Sequence, residues 1–306
     1  MRFLISAALL LLCLASACSC GSGAERHLAF DGQKAFAGIE VQVAFGPRVP
    51  GSPAHSLCAN YLAETLSQRA DTVWTDRWSH VTSTGDTLPL VNIGASFNPQ
   101  NRDRVLLCAH WDSRPVAEQD PDPAKRDQPI PGANDGGSGV AVLLELARVF
   151  SAERPEVGVD LVLFDGEDYG DFYAGTDVLL GSRRFASRAR GYRNILGILL
   201  DIVGDRNARF FYEGYSWSWL RKDVLLLWDT AESLGYGNYF PRQAGPSVID
   251  DHVPLQQAGI RCIDIVQMGL SYWHTHADTP DKCSAATLEA VGRTVAAVVY
   301  RLPGKN

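Results

Sequence analysis

Acidic and imidazole side chains collect at a few places in this 306-residue sequence, most of them at the ends of apolar runs. CAHWDS supplies His110 and Asp112, and PGANDGGSG supplies Asp135. LVLFDGEDYG ends in the adjacent pair Glu167 and Asp168, LLDIVGD contains Asp201, and SVIDDHVP holds Asp250, Asp251 and His252. YWHTHADT adds His274 and His276. Each has a bland reading taken singly, because a strand-end Asp commonly caps a helix or turns the chain. Asp135 is equally placed to cap the next helix. So many groupings at strand ends are harder to dismiss. Converging carboxylates lose water and repel one another, whereas a Zn2+ bound by Asp, Asp or Glu, and His relieves that repulsion. A metal is the economical reading. The four glycines around Asp135 give separate support, since they let backbone turn tightly and approach a site closely.

Such residues need a scaffold that gathers strand ends. Short continuous apolar runs at 105–109, 159–164, 195–202 and 260–266 suit strands covered on both faces. Residues 73–97 alternate and contain Gly85-Asp86, the pattern of an antiparallel hairpin. Helical spacing predicts helices over 52–69, 138–150, 218–234 and 285–302, the first with Ser52-Pro53 at its start and Leu57, Tyr61, Leu62 and Leu66 on its apolar face. Trp217, Trp219 and Trp228 fall at the start of or within the third of these and read as packing. Strand alternating with helix argues for an α/β sandwich, in which ligands bind beyond the carboxyl ends of the strands. The irregular stretch 118–135, rich in Asp and Pro, is long enough to suggest a functional loop. No linker divides the chain, so residues 18–306 are expected to form one domain.

Composition narrows the classes further. The chain is 46% apolar with a net charge of −7, which fits a packed core and argues against a nucleic-acid partner. Residues 1–17 have the layout of an export signal, ending in Ala15-Ser16-Ala17 before Cys18. Cys18 is then the first mature residue, with a loose lipobox that leaves a lipid anchor open, and the protein is expected in the periplasm or cell envelope. Of the seven Cys, Cys13, Cys18 and Cys20 lie in the export region. Cys58, Cys108, Cys262 and Cys283 remain, with no C-x-x-C pair to suggest a thiolate zinc site. Those four are open to pairing, but Cys108 and Cys262 sit in apolar runs and read as buried free thiols.

The ordered set His110-Trp111-Asp112, Gly132 to Gly139, Phe164 to Asp168, Leu200-Asp201 and Trp273-His274 resembles the zinc-dependent aminopeptidase superfamily, over about two thirds of the chain. Within it the sequence is most similar to the glutaminyl-peptide cyclotransferases, or glutaminyl cyclases, of the bacterial kind related to animal enzymes. The resemblance rests on His110-Trp111-Asp112-Ser113 followed by LLELAR, the Glu167-Asp168 pair, Asp250-Asp251-His252, and Trp273 directly before His274. It implies a three-layer α/β/α sandwich around a mixed, mostly parallel sheet. It also implies a zinc held by Asp135, Asp168 and His274, with Glu167 as general acid/base, Asp201 and Asp250 as acidic partners of the substrate amine, and Trp273 as a pocket wall. The implied partner is a peptide or protein with N-terminal Gln, which would be converted to pyroglutamate with loss of ammonia. Three departures stand out: Asp168 occupies a place often held by Glu in animal enzymes, Asp264 stands where they have His, and GANDGGSG is closer to the aminopeptidase form. Hydrolysis of N-terminal residues is therefore the alternative, with a second zinc on His110, Asp135 and Asp201, and with Asp112 orienting His110. A non-catalytic binding domain is weaker still, because neither the ligands nor the base are missing.

Overall fold

The computed structural model describes residues 29–304; the expectations for residues 1–17, Cys13, Cys18 and Cys20 lie outside them. Six strands form one sheet: β1 (Thr72–Val81), β2 (Thr87–Phe97), β3 (Arg104–His110), β4 (Gly158–Phe164), β5 (Leu196–Asp201) and β6 (Ile263–Val266), in the spatial order β1-β2-β4-β3-β5-β6. β4, β3, β5 and β6 run parallel, and the β1–β2 hairpin adds antiparallel to β4. The sheet is mixed and mostly parallel, as anticipated.

The continuous apolar runs are explained by helices on both faces. On β3, alternate residues point to opposite sides. Val105, Leu107 and Ala109 join the larger core, while Leu106 and Cys108 join a smaller one. The larger core is closed by α1 (Gly32–Ala44), α2 (Pro53–Ser67), α3 (Gly137–Ala152), α5 (Gly214–Ser233) and α7 (Ala285–Arg301). The smaller is closed by α4 (Leu180–Arg188) and α6 (His252–Gln257). The result is a three-layer α/β/α sandwich. Chain order leaves β3 for β4 on one side and β5 on the other, so β3 is the switch point where a crevice opens beyond the strand ends.

Two helix starts follow their serine caps. Ser52 accepts from the His55 N–H at 3.1 Å and Ser284 from the Thr287 N–H at 3.1 Å, each satisfying an amide that the helix leaves free. Several expectations need correction. The strand anticipated over 260–266 is short, Ile263–Val266, and α5 starts earlier than expected, at Gly214, because Glu213 caps it. α1, α4 and α6 were not anticipated; α4 fully buries only Gly181 and Ser182 and packs Phe185 and Ala186 half-buried on the smaller core, too short an apolar stripe to read. Leu57, assigned to the buried face of α2, is 56% exposed. Of the three tryptophans of α5, Trp228 is buried and Trp217 stacks on Tyr212 with centroids 4.3 Å apart. Trp219 is not core: it is 49% exposed, beside a break in helical geometry at Leu220 (φ −133°, ψ 39°). All four described cysteines are free and buried. Cys108 and Cys262 approach to 3.8 Å between sulfurs, a thiol–thiol hydrogen bond and not a disulfide.

Candidate active site

His110 ends β3, Asp201 ends β5, and the turn after β4 carries Glu167 and Asp168. Asp135 stands just before α3, but its side chain does not cap that helix. Gly136, at φ +76°, takes the cap position and no side chain caps the first turn. The carboxylate of Asp135 is thereby left for the crevice. A side chain at Gly136 would meet the carbonyl of Asp112 at 2.4 Å, so this turn requires glycine. His274 and Ile202 adopt left-handed backbone (φ +54° and +50°), a strained conformation for such residues that collects at functional sites.

Three groups of ligand atoms converge, each within 4.8 Å: Asp135, Asp168 and His274; His110, Asp135 and Asp201; and Asp250, His252 and Asp264. The first two differ in one respect. At the second, His110 Nε2 lies 3.0 Å from Asp201 Oδ1 and 3.2 Å from Asp135 Oδ1, so the ligand atoms that face one another are already paired, and the atom left without a partner, His110 Nδ1, is on the far side of the ring. Although burial works against it, Glu167 and Asp201 raise His110 well above its usual pKa and favour the imidazolium that bridges them. At the first, His274 Nε2 stands back from Asp168 Oδ1 by 3.6 Å and from Asp135 Oδ2 by 3.7 Å. Asp168 Oδ2 is buried and has no partner. Burial pushes Asp168 up to about 7. Two buried carboxylates and an imidazole, with an orphaned oxygen among them, are a donor set suited to zinc.

The surroundings hold these groups in place. The Asp112 carboxylate accepts the backbone N–H groups of Glu167 and Asp168, each at 3.2 Å, and lies 3.5 Å from His110 Nδ1. Glu167 Oε2 is 3.7 Å from His110 Nδ1. Burial raises Glu167 well above the ordinary carboxylate range, against the pull of His110 and with the help of Asp168 and Asp250. Asp250 is likewise pushed up to about 7 by burial and by Asp201. Glu167, Asp201, Asp250, Trp273 and the first ligand group line a cavity of about 480 Å3, and the Trp273 ring stacks on His274 at 3.6 Å. His252 and Asp264 lie behind it, with His252 Nε2 3.1 Å from Glu213 and Nδ1 3.6 Å from Asp264. Asp251 is buried and off the cavity wall. His276 bonds Asp120 at 3.0 Å and joins none of the three ligand groups.

Three residues escaped the sequence reading. Glu118 Oε1 receives His274 Nδ1 at 2.6 Å. Arg114 bonds Glu118 at 2.8 Å and Asp168 Oδ1 at 2.8 Å. Asp278 accepts the N–H groups of Asn134 (2.8 Å) and Asp135 (3.1 Å). The only signal for Glu118 was the length of the loop it begins.

The profile of Peptidase family M28 matches residues 92–299, which spans every one of these ligand positions. The chain belongs to peptidase family M28. Among solved M28-like structures, the glutaminyl cyclase of Tannerella forsythia is 42% identical with a TM-score of 0.86, covering 90% of this chain and 99% of that one. A Zn-dependent exopeptidase from Parabacteroides distasonis is 41% identical at a TM-score of 0.86, covering 89% and 99%. The glutaminyl-peptide cyclotransferase of Bos taurus is 26% identical over 284 residues, 80% of this chain and 76% of that one. The resemblance read from the motifs is thus borne out, and the family and its zinc-dependent neighbours imply zinc here as well.

Proposed function

We propose that this protein is a glutaminyl-peptide cyclotransferase that closes the N-terminal Gln of peptides to pyroglutamate, and that it works with one zinc, on Asp135, Asp168 and His274. The observation that carries the single-metal reading is the contrast between the first two ligand groups: His110, Asp135 and Asp201 are tied to one another, whereas Asp168 keeps a buried oxygen free. A metal bound there supplies Lewis-acid polarisation of the side-chain amide carbonyl.

The remaining chemistry belongs to the chain. Glu167 takes a proton from the substrate's α-amine, whose nitrogen attacks the side-chain amide carbon. The C–N bond to the amide nitrogen breaks, and Glu167 returns the proton to the departing ammonia. A general base of this kind should titrate near working pH, and burial of Glu167 moves it in that direction. Asp201 and Asp250 accept hydrogen bonds from the amine and hold it against the carbonyl, and Trp273 walls the ring that forms. Because both reacting groups belong to one residue, positioning supplies much of the acceleration.

The reading extends to the whole chain: residues 18–306 act as one catalytic domain, exported by residues 1–17, with Cys18 as the first mature residue and a lipid anchor there in cells that process it. Among the described residues no helix is long and apolar enough to cross a membrane. The deciding experiment gives the zinc-loaded protein a short Gln-initiated peptide and weighs the product. Loss of ammonia from an intact chain is expected; free Gln and a shortened peptide would instead make it an aminopeptidase.

A further inference from the structure

Beside the acid cavity lies a second one, of about 520 Å3, that the cyclisation does not use. Ile249 lines both, and Leu179, which lines the second, donates its backbone N–H to the carbonyl of Glu167 at 3.0 Å. The two spaces are therefore neighbours across one side chain. Tyr215 and Trp219 of α5 line the second, with ring centroids 5.2 Å apart, opposite elements contributed by α4 and α6. Trp219 is 49% and Ile249 54% exposed. Tyr173 and Met268, on the acid cavity, are exposed too. These four of the ten exposed large apolar side chains among the described residues thus share two adjoining cavities. A concave apolar surface of that kind marks a binding site. Arg183 of α4 also lines it and makes no ion pair among the described residues.

We propose that this second cavity receives the substrate's own chain beyond its second residue, seating an aromatic side chain on Trp219 and Tyr215 and an acidic one at Arg183. The occupant follows from continuity and charge. With the amine and side-chain amide of Gln turned toward the acids, the rest of the peptide must leave over the rim, where Ile249 joins the two spaces. An acidic residue close to Glu167, Asp201 and Asp250 is repelled, whereas one that reaches Arg183 is attracted. The subsite rests on the cyclase reading of the acid cavity.

The test measures ammonia release by the zinc-loaded enzyme from Gln-Ala amide and from pentapeptide amides beginning Gln-Ala and carrying Phe and Glu at the third to fifth positions. The best pentapeptide should show a KM on the order of tenfold below that of the dipeptide. Trp219→Ala and Arg183→Glu should each raise that KM toward the dipeptide value, and Arg183→Glu should turn the preference from Glu to Lys. Unchanged dipeptide kinetics in both variants report an intact fold. Equal KM for long and short peptides in the wild type, or variants that leave the pentapeptide KM alone, overturns the subsite while cyclisation stands. If neither peptide releases ammonia, the cyclase reading falls and the subsite with it.

Discussion

Glu167 and Asp168 share one backbone anchor, the carboxylate of Asp112, yet their side chains part. Asp168 turns to Arg114 and His274, and Glu167 toward His110. Replacing Glu167 by Gln keeps the shape and removes the proposed base. Glu167→Gln should lower ammonia release by about 10²- to 10⁴-fold while zinc content, measured by metal analysis, stays at the wild-type level; turnover that survives would remove Glu167 from the mechanism. Glu118 acts through another residue. Held by Arg114 and bonded to His274 Nδ1, it fixes which imidazole nitrogen faces the ligand group. Partners of this sort commonly affect metal affinity by about 10- to 100-fold, so Glu118→Gln should weaken zinc by that factor in a chelator competition. An unchanged affinity would leave Glu118 as a loop anchor only.

At the level of elements, the first turn of α3 lies unusually close to the end of β5. A Cβ at Gly139 would fall 2.1 Å from the carbonyl of Leu200, so even a methyl group forces helix and strand apart. Gly139→Ala should cost about 1 to 3 kcal/mol, read from the urea midpoint. It should also lower kcat, because Asp135 and Asp201 sit at the two ends being separated. A variant as stable as the wild type would show that α3 can shift freely. The glycine-rich motif thus serves two purposes: Gly136 makes the turn that frees Asp135 from capping, and Gly139 permits the approach.

Across the whole molecule, buried acid makes stability depend on pH. Burial pushes Asp168, Asp250 and Asp278 up to about 7, from an ordinary value near 3.8. Without metal, the folded protein then holds protons that the unfolded chain has released between about pH 4 and pH 7. Since the native state binds more protons across that window, its stability falls as pH rises through it. Zinc answers the same repulsion with charge. The melting temperature of chelator-treated protein should therefore drop between pH 5 and pH 8, and zinc should raise it more at pH 8 than at pH 5. A melting temperature that stays level with pH in the metal-free protein would mean that these acids hold no protons.

Periodic burial makes secondary structure legible along a chain, which is why the apolar runs of β3, β4 and β5 and the helical spacing of α3 and α7 could be read directly. The acids and imidazoles at the strand ends could be read too, because an acid at the end of a buried run is itself unusual. Strand order was a different matter. His110 and Asp201 meet only because β5 lies beside β3, a contact between residues 91 positions apart that no local pattern encodes. Glu118 and Arg114 come from a segment without periodicity, and only the path of that loop brings them to His274 and Asp168. Trp219 has the spacing of a packing residue, but the rotation of α5 and its break at Leu220 leave the ring in a cleft. The sequence by itself determined which acids and imidazoles stand at the ends of buried runs and on what kind of element; the tertiary structure decided which of them face each other, because that depends on how separate elements pack.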